Sequence, residues 1–581
     1  MRRHWRVLAF GLLTGLSACG ESGSGPNDSS ESGRTSTVRA KPIDPNPKFV
    51  DVAREAGLTR VLLGGGTKKD HILESVGTGA AMIDFDEDGK LDIFVVNAWS
   101  LDEEPSKVRE KGKHALYRNL GDGRFEDVTE GAGIVDNGWG CGVCCADYDN
   151  DGHVDIYVTH FGPNRLYRNL GNGKFRQVAE AAGVAFAGWS SGAAFFDADG
   201  DGDLDLYVAN YIEEGIDQVL AASRTTVWQE TIKVMAGPFG LRGGKDQFFV
   251  NNGDGTFRNG TDEAGMTDLA ESYGLGVLAS DLDHDGDIDV YVANDSNPNF
   301  LYRNDGHGKF TDIGTWSGAG LSGEGVAQAS MGVDAGDLDG DGLQEIFVTH
   351  FSHDYSTLYR NLGGLNFEDI SVAMRLKEYT YTSLSWGCSF FDFDQDADLD
   401  LVIANGHIYP QVDEAPTLKE SYRQPPTLLR NDDGKLTEVS KDAGPGFRSA
   451  ASARGLAVGD YDDDGDLDLL MTAMDAPPIL LRNDTPRVGH WLKVRLLNRH
   501  GSPAISAQAR LTSGKTTQLR ELRSGSTYQS QSSLDLHFGL GDATTAEALE
   551  IRWPRGATTV IKAPAIDGLV TIREPAEAPA K

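Results

Sequence analysis

The stretch DFDEDGKLD, residues 84–92, sets Asp84, Asp86, Asp88 and Asp92 around one glycine, Gly89, and runs on into the apolar IFVV. Four carboxylates this close repel, so either a positive charge offsets them or the loop lies in open water. The pattern returns six times: DYDNDGHVD at 147–155, DADGDGDLD at 197–205, DLDHDGDID at 281–289, DLDGDGLQE at 337–345, DFDQDADLD at 392–400 and DYDDDGDLD at 460–468. Start-to-start spacings of 63, 50, 84, 56, 55 and 68 residues describe one unit repeated with insertions, a stacked or circular architecture.

Each copy keeps the same neighbours. A Gly-rich apolar stretch lies upstream, such as WSSGAAFF (189–196) or YGLGVLAS (273–280). A short strand pattern lies downstream, such as LDIFVVN (91–97) or LDLYVAN (204–210). A hairpin signal follows: LYRNLGDGRF (116–125), LYRNLGNGKF (166–175), FFVNNGDGTF (248–257) and LYRNDGHGKF (301–310), with weaker forms LYRNLGGLNF (358–367) and LLRNDDGKL (428–436). A last strand of the form F-x-D-V ends the unit, as in FEDVTEGAG (125–133). Four strands per unit and seven units predict an all-β fold, a seven-bladed β-propeller, followed by a small antiparallel β domain. The propeller starts with FVDVAREAG (49–57), a last strand with no hairpin partner before it, and its final unit stops at LLRND (480–484). Pairing of these two orphans would close the ring.

In D-x-D-x-D-G-x-x-D the first, third, fifth and ninth positions carry hard oxygen donors, and the sixth lets the backbone turn. Such a set suits Ca²⁺, which takes 6–8 oxygens at about 2.3–2.6 Å. The predicted ligands are Asp84, Asp86, Asp88 and Asp92; Asp147, Asp149, Asp151 and Asp155; Asp197, Asp199, Asp201 and Asp205; Asp281, Asp283, Asp285 and Asp289; Asp337, Asp339, Asp341 and Glu345; Asp392, Asp394, Asp396 and Asp400; and Asp460, Asp462, Asp464 and Asp468. Up to seven Ca²⁺ ions are expected. An acidic turn without metal is the alternative for any single copy; seven copies in register argue against it. No Glu stands at position twelve, so these are not helix–loop–helix hands. Ala397 replaces the turn glycine in the sixth loop and Glu345 the ninth Asp in the fifth. The Ala397 site is expected to be the weakest, because a left-handed alanine is strained.

The formal net charge is −35, with 88 acidic and 53 basic residues. That excludes nucleic acid and anionic surfaces as main partners and favours cations. Residues 1–18 (MRRHWRVLAFGLLTGLSA) read as a signal peptide with a basic start and a short apolar core. Leu16-Ser17-Ala18-Cys19 is similar to a bacterial lipobox, which implies acylation of Cys19 and a membrane anchor there; an ordinary cleaved signal is the alternative. Residues 19–47 are a polar Ser/Gly/Pro-rich linker, 48–485 the propeller, 486–576 the second β domain, where WLKVRL, LDLHF and LEIRW alternate, and 577–581 a tail.

The repeats resemble the FG-GAP or VCBS repeats of integrin-type propellers. GPFGLRGGKDQFFVNNGDGTF (237–257), SWGCSFFDFD (385–394), NGHIYPQVD (405–413) and ARGLAVGDYDDDGDLD (453–468) are similar to bacterial members of the cartilage acidic protein 1 family. GHWLKVRLLN (489–498), SGSTYQSQSSLDLHFGLG (524–541) and LEIRWPRG (549–556) resemble the ASPIC/UnbV domain. The resemblance covers roughly 49–575 and implies a Ca²⁺-binding extracellular propeller with an all-β C-terminal domain; it implies no settled activity. Ser506 stands where the family has glycine, and no Cys follows Cys388, so the Cys-rich module of animal relatives is not expected.

Cys141, Cys144, Cys145 and Cys388 occupy strand positions that other repeats fill with Gly, Ala, Ser or Phe. Packing is the first reading, with a disulfide or a metal as alternatives. His160, His350 and His407 each follow a strand near a blade's end, as structural or solvent-exposed residues or as the lining of a central mouth. The insertion 211–247 holds a predicted short helix near 214–235 and is the favoured binding element, a plain excursion being the alternative. The functional expectation is a non-catalytic cell-envelope or secreted binding module that presents loops to an unidentified protein or glycan. The alternative is a carbohydrate-active enzyme with its site in the propeller channel.

Overall fold

The computed structural model describes residues 46–102, 107–222, 224–267, 272–487 and 489–576. The predicted signal, Cys19, most of the linker and the tail lie outside the described residues. From position 46 on, the chain belongs to one unit.

Seven antiparallel four-stranded units form in chain order, five as separate sheets and the second and third joined into one eight-stranded sheet, where Ala187–Trp189 pairs with Phe161–Pro163. Their inner strands are Ala80–Ile83, Trp139–Ala146, Ala187–Phe196, Gly274–Ser280, Ser330–Gly336, Ser385–Phe391 and Ala453–Gly459. Each inner strand packs beside the next, and Ala80–Ile83 packs beside Ala453–Gly459, so the ring closes on itself. Closure uses the two orphans: Phe49–Asp51 is the outermost strand of the seventh sheet, with Phe49 opposite Asn483 and Asp51 opposite Leu481. The second blade shows the pattern. Trp139–Ala146 pairs with Asp155–Pro163, that strand with Arg165–Asn169, and that one with Phe175–Gln177.

The hairpin sequence follows from this register. Asn169 lies opposite Phe175, and Asn119 opposite Phe125, so the tyrosine and phenylalanine of L-Y-R-N…F enter the space between blades. Tyr167 and Tyr117 are buried, as are Phe175 and Phe125. The last element differs from expectation. Only Phe125–Asp127 is strand; Thr129–Ala132 is one helical turn, ended by Gly133 at φ +84°. The left-handed glycine caps that turn.

The C-terminal domain has two sheets, His490–Leu497 with its neighbours Leu536–Gly541 and Leu569–Arg573, and a four-stranded sheet centred on Gln508–Ser513 and Ala548–Arg552. One pair departs from the antiparallel expectation: His490–Leu497 and Leu569–Arg573 run parallel. Between the domain's strands, Arg523–Ser533 enters the centre of the ring. Gln531 receives a bond from Met82 N and donates to Ala80 O. Gln529 O accepts from Val143 N, and Thr527 O from Val333 N. The Thr527 hydroxyl donates to Leu456 O, and Tyr528 OH to Val76 O at 3.0 Å. The channel is therefore filled by this segment, which binds the free edges of several inner strands.

Candidate metal centres and the open face

The acidic loops share one backbone form. Position four has positive φ in all seven: Glu87, Asn150, Gly200, His284, Gly340, Gln395 and Asp463. So does position six, including Ala397 at φ +81°. The double left-handed turn swings the position-six amide onto the first carboxylate. Gly89 N donates to Asp84 Oδ2 at 3.0 Å, Gly152 N to Asp147 at 2.9 Å and Ala397 N to Asp392 at 3.0 Å. The ninth acid ties the loop to the sheet. Asp92 accepts Phe85 N at 3.1 Å and Asn119 N at 2.7 Å; Glu345, one methylene longer, accepts Leu338 N at 2.9 Å and Asn361 N at 3.4 Å.

These bonds leave particular oxygens over. Oδ1 of Asp84, Asp86, Asp149, Asp281, Asp337, Asp460 and Asp462 is buried without a hydrogen-bond partner. Ligand oxygens of Asp84, Asp86 and Asp92 lie within 4.8 Å of one another, as do those of Asp147, Asp149 and Asp155. In the third and fourth loops the first, third and fifth acids do so: Asp197, Asp199 and Asp201, and Asp281, Asp283 and Asp285. Position five is exposed in every loop except the sixth, where Asp396 is half-buried. In these loops position nine is buried, position one is buried or half-buried, position three is buried or half-buried except at the exposed Asp199 and Asp339, and position five lies at the solvent edge.

Burial outweighs the few basic side chains near these loops in setting their electrostatics. Burial pushes the Asp84 carboxyl up to about 6, Asp197 and Asp281 to about 7, and Asp92, Asp205 and Glu345 to about 8. Neighbouring carboxylates in the same loop push the same way. Asp155, Asp289, Asp400 and Asp468 are likewise raised well above the usual carboxylate range, again chiefly by burial.

A residue type read from sequence only as a turn former joins these loops into a ring. The asparagine of L-Y-R-N sends its side-chain N–H to the second residue of the neighbouring blade's acidic loop. Asn119 reaches Tyr461 O at 2.8 Å, Asn169 Phe85 O at 2.8 Å and Asn251 Tyr148 O at 2.9 Å. Asn304 reaches Ala198 O at 2.9 Å, Asn361 Leu282 O at 2.8 Å, Asn431 Leu338 O at 2.8 Å and Asn483 Phe393 O at 2.9 Å. Every blade junction carries one such bond. The signal was present in the sequence as an asparagine at one place in all seven repeats.

The C-terminal domain covers this acidic face and touches all seven loops. Lys493 Nζ lies 3.0 Å from Asp460, Arg552 3.0 Å from Asp281 and Arg495 3.9 Å from Asp84. Arg510 donates to Gly342 O, Gly541 N to Gln395 O, Arg555 lies against Gly202 and His500 O against Gly152. Ser506, in the domain's departure from the family sequence, holds φ +69°, so the backbone keeps the conformation a glycine would take.

The cysteines are buried and free, so packing holds and the disulfide is corrected: all four line apolar cores. Burial pushes the Cys141 thiol up to about 12. The three histidines are also buried, which corrects solvent exposure. His160 Nε2 lies 2.6 Å from Asp136, beside His114, and His407 Nε2 3.1 Å from Glu420, which also pairs with His353. His350 faces the Ser330 hydroxyl, and burial lowers it to about 3.

The insertion is not mainly helical. Ile216–Ala221 is a short helix, but Thr225–Trp228 and Ile232–Met235 form a hairpin. The expected helix to 235 fails because alternation in TTVW and IKVM suits strands. The hairpin borders a cavity of about 400 Å³ at the ring's other face. Leu275, Met331 and Trp386, at the starts of inner strands, line it, so it lies opposite the acidic loops.

Among protein families, an FG-GAP-like repeat matches residues 84–158, 147–208, 281–348 and 337–403, and ASPIC and UnbV matches 498–579. Cartilage acidic protein 1 of Xenopus tropicalis is 28% identical over 291 residues, 49% of this chain and 42% of that protein. The Mus musculus protein is 27% identical over 301 residues, 51% of this chain and 43% of its own length. The match thus spans less than half of these relatives. Among solved structures, an Agrocybe aegerita lectin specific for non-reducing terminal N-acetylglucosamine shares 16% identity at a TM-score of 0.35, over 74% of this chain and 87% of that one. The chain is an FG-GAP-repeat propeller closed by an ASPIC and UnbV domain, and it resembles cartilage acidic protein 1.

Proposed function

We propose that the protein is an extracellular binding module whose ring is held by Ca²⁺ in the acidic loops. The observation that carries this is the set of buried first- and third-position carboxylate oxygens that have no partner of their own. Such atoms are expensive to bury, and hard divalent cations satisfy them at this spacing. Positions one, three, five and nine would hold the ion. Bound Ca²⁺ supplies the charge that the loops lack, and the asparagine bonds transmit the ordering of each loop to the next blade.

With the acidic face covered by the C-terminal domain, recognition falls to the opposite face and its insertion hairpin. In this reading the predicted leader and Cys19 place the module outside the cytoplasm on a lipid anchor, and the partner is a protein or glycan. The enzyme alternative would have to use that face too, since Arg523–Ser533 occupies the channel. The test is a glycan and surface-protein panel probed with the full chain in Ca²⁺ and in chelator, scoring retention and product separately. Ca²⁺-dependent retention without product is expected; turnover of a glycan contradicts the binding reading.

A further inference from the structure

The cavity on the open face has a character that its position does not require. Its walls are aromatic: the Trp228 ring stands edge-on to Phe351 at 5.2 Å and lies 5.9 Å from Tyr409. Trp386 adds a further indole. Two carboxylates, Asp295 and Asp354, also line it. Asp295 accepts the hydroxyls of Tyr211 at 2.7 Å and Ser296 at 2.8 Å, both neutral donors. Asp354 accepts a long bond from Ala329 N at 3.4 Å, and His353 beside it is engaged by Glu420. No Lys or Arg belongs to the lining among the described residues. Arg454, which lies 4.2 Å from the Trp386 ring, is spent on the carbonyls of Ser75, Gly406 and Ala453. Burial raises both carboxyls, with His353 acting the other way on Asp354.

We propose that this cavity binds a small organic ammonium ion that also carries an oxygen acceptor, an amino-alcohol head group of choline type. The inference rests on the binding-module reading and names the ligand class of its open face. Aromatic faces attract cations through the ring quadrupole, most strongly where water is excluded. Asp295 and Asp354 supply the countercharge and repel anions. Trp228 Nε1 is buried without an acceptor, so it is left to bond the ligand's oxygen. A volume near 400 Å³ is in the range of small-ligand sites. A neutral sugar would use the rings but leave the two acids uncompensated.

The test is calorimetry of the full chain in Ca²⁺ with choline and with 3,3-dimethylbutan-1-ol, its uncharged isostere. Choline should bind at least tenfold tighter. Asp354→Asn, which keeps shape, and Trp228→Ala, on the exposed hairpin, should each lower choline affinity tenfold or more. Equal affinity for the two compounds, no choline heat at millimolar concentration, or full affinity in Asp354→Asn overturns the proposal. Phosphatidylcholine vesicles form the second arm: Asp354-dependent vesicle binding in place of free choline binding assigns the head group to a lipid. Melting the same samples with and without Ca²⁺ separates a failed ring from a failed pocket.

Discussion

The side-chain amide of Asn169 donates to Phe85 O at 2.8 Å, across 84 residues and from one blade to the next. Its second bond, to Val154 O at 3.1 Å, stays in its own blade. One side chain thus fixes two acidic loops relative to each other.

Asn169→Ala leaves two buried carbonyls unbonded. Each lost bond to a buried group costs about 1–3 kcal/mol. Urea unfolding should show a loss in that range, with less than about 0.5 kcal/mol for the exposed control Asn252→Ala. Equal losses would mean that the blade junction does not depend on the asparagine.

Stability should depend on pH with opposite signs in the two metal states. The folded Asp92, Asp205 and Glu345 carboxyls lie at about 8, above their unfolded values near 4. The native state therefore holds more protons between pH 4 and 8. Metal-free protein should be most stable near pH 4–5 and lose stability as pH rises to 8. Adding Ca²⁺ at pH 6.5 should release protons, because the ion needs the carboxylates charged. Melting curves in chelator across pH, and titration in two buffers of different ionisation enthalpy, check both signs.

Two left-handed residues should improve on replacement. Ala397 has φ +81° and Ser506 φ +69°, each costing about 1–2 kcal/mol relative to glycine. Part of the gain is offset by the freer unfolded chain. Ala397→Gly and Ser506→Gly should each stabilise by about 0.5–1 kcal/mol in denaturant melts. Ala397→Gly should also tighten Ca²⁺ at the site expected to be weakest, seen as a narrower spread of affinities.

The segment inside the ring should be indispensable to it. Tyr528 is fully buried, its ring 4.9 Å from Trp386 and its hydroxyl on Val76 O. Tyr528→Ala should cost about 3–5 kcal/mol, the range for a buried aromatic. A change under about 1 kcal/mol in urea melts would mean that the segment merely rests in the channel.

Much of this was legible in the residues alone. Seven acidic loops in register mark the repeat, and the orphan segments at 49–57 and 480–484 give the closure. What escaped depends on contacts made far along the chain. Arg523–Ser533 is a polar, serine-rich stretch without periodicity, and its partners are backbone edges of distant strands, which no local pattern reveals. Position four of the acidic loops hides its shared left-handed conformation behind Glu, Asn, Gly, His, Gln and Asp. The cover over the acidic face is written in scattered single residues, Lys493, Arg495, Arg510 and Arg552 among them, which read as ordinary strand surface.

The central claim is that divalent ions hold the ring through its carboxylate loops. Calorimetric titration of chelator-stripped full chain with Ca²⁺, followed by melting of the titrated sample, addresses it most directly. Uptake of several ions per chain, up to seven, with a rise in melting temperature of many degrees is the predicted result. No heat of binding and an unchanged melting temperature would contradict the account.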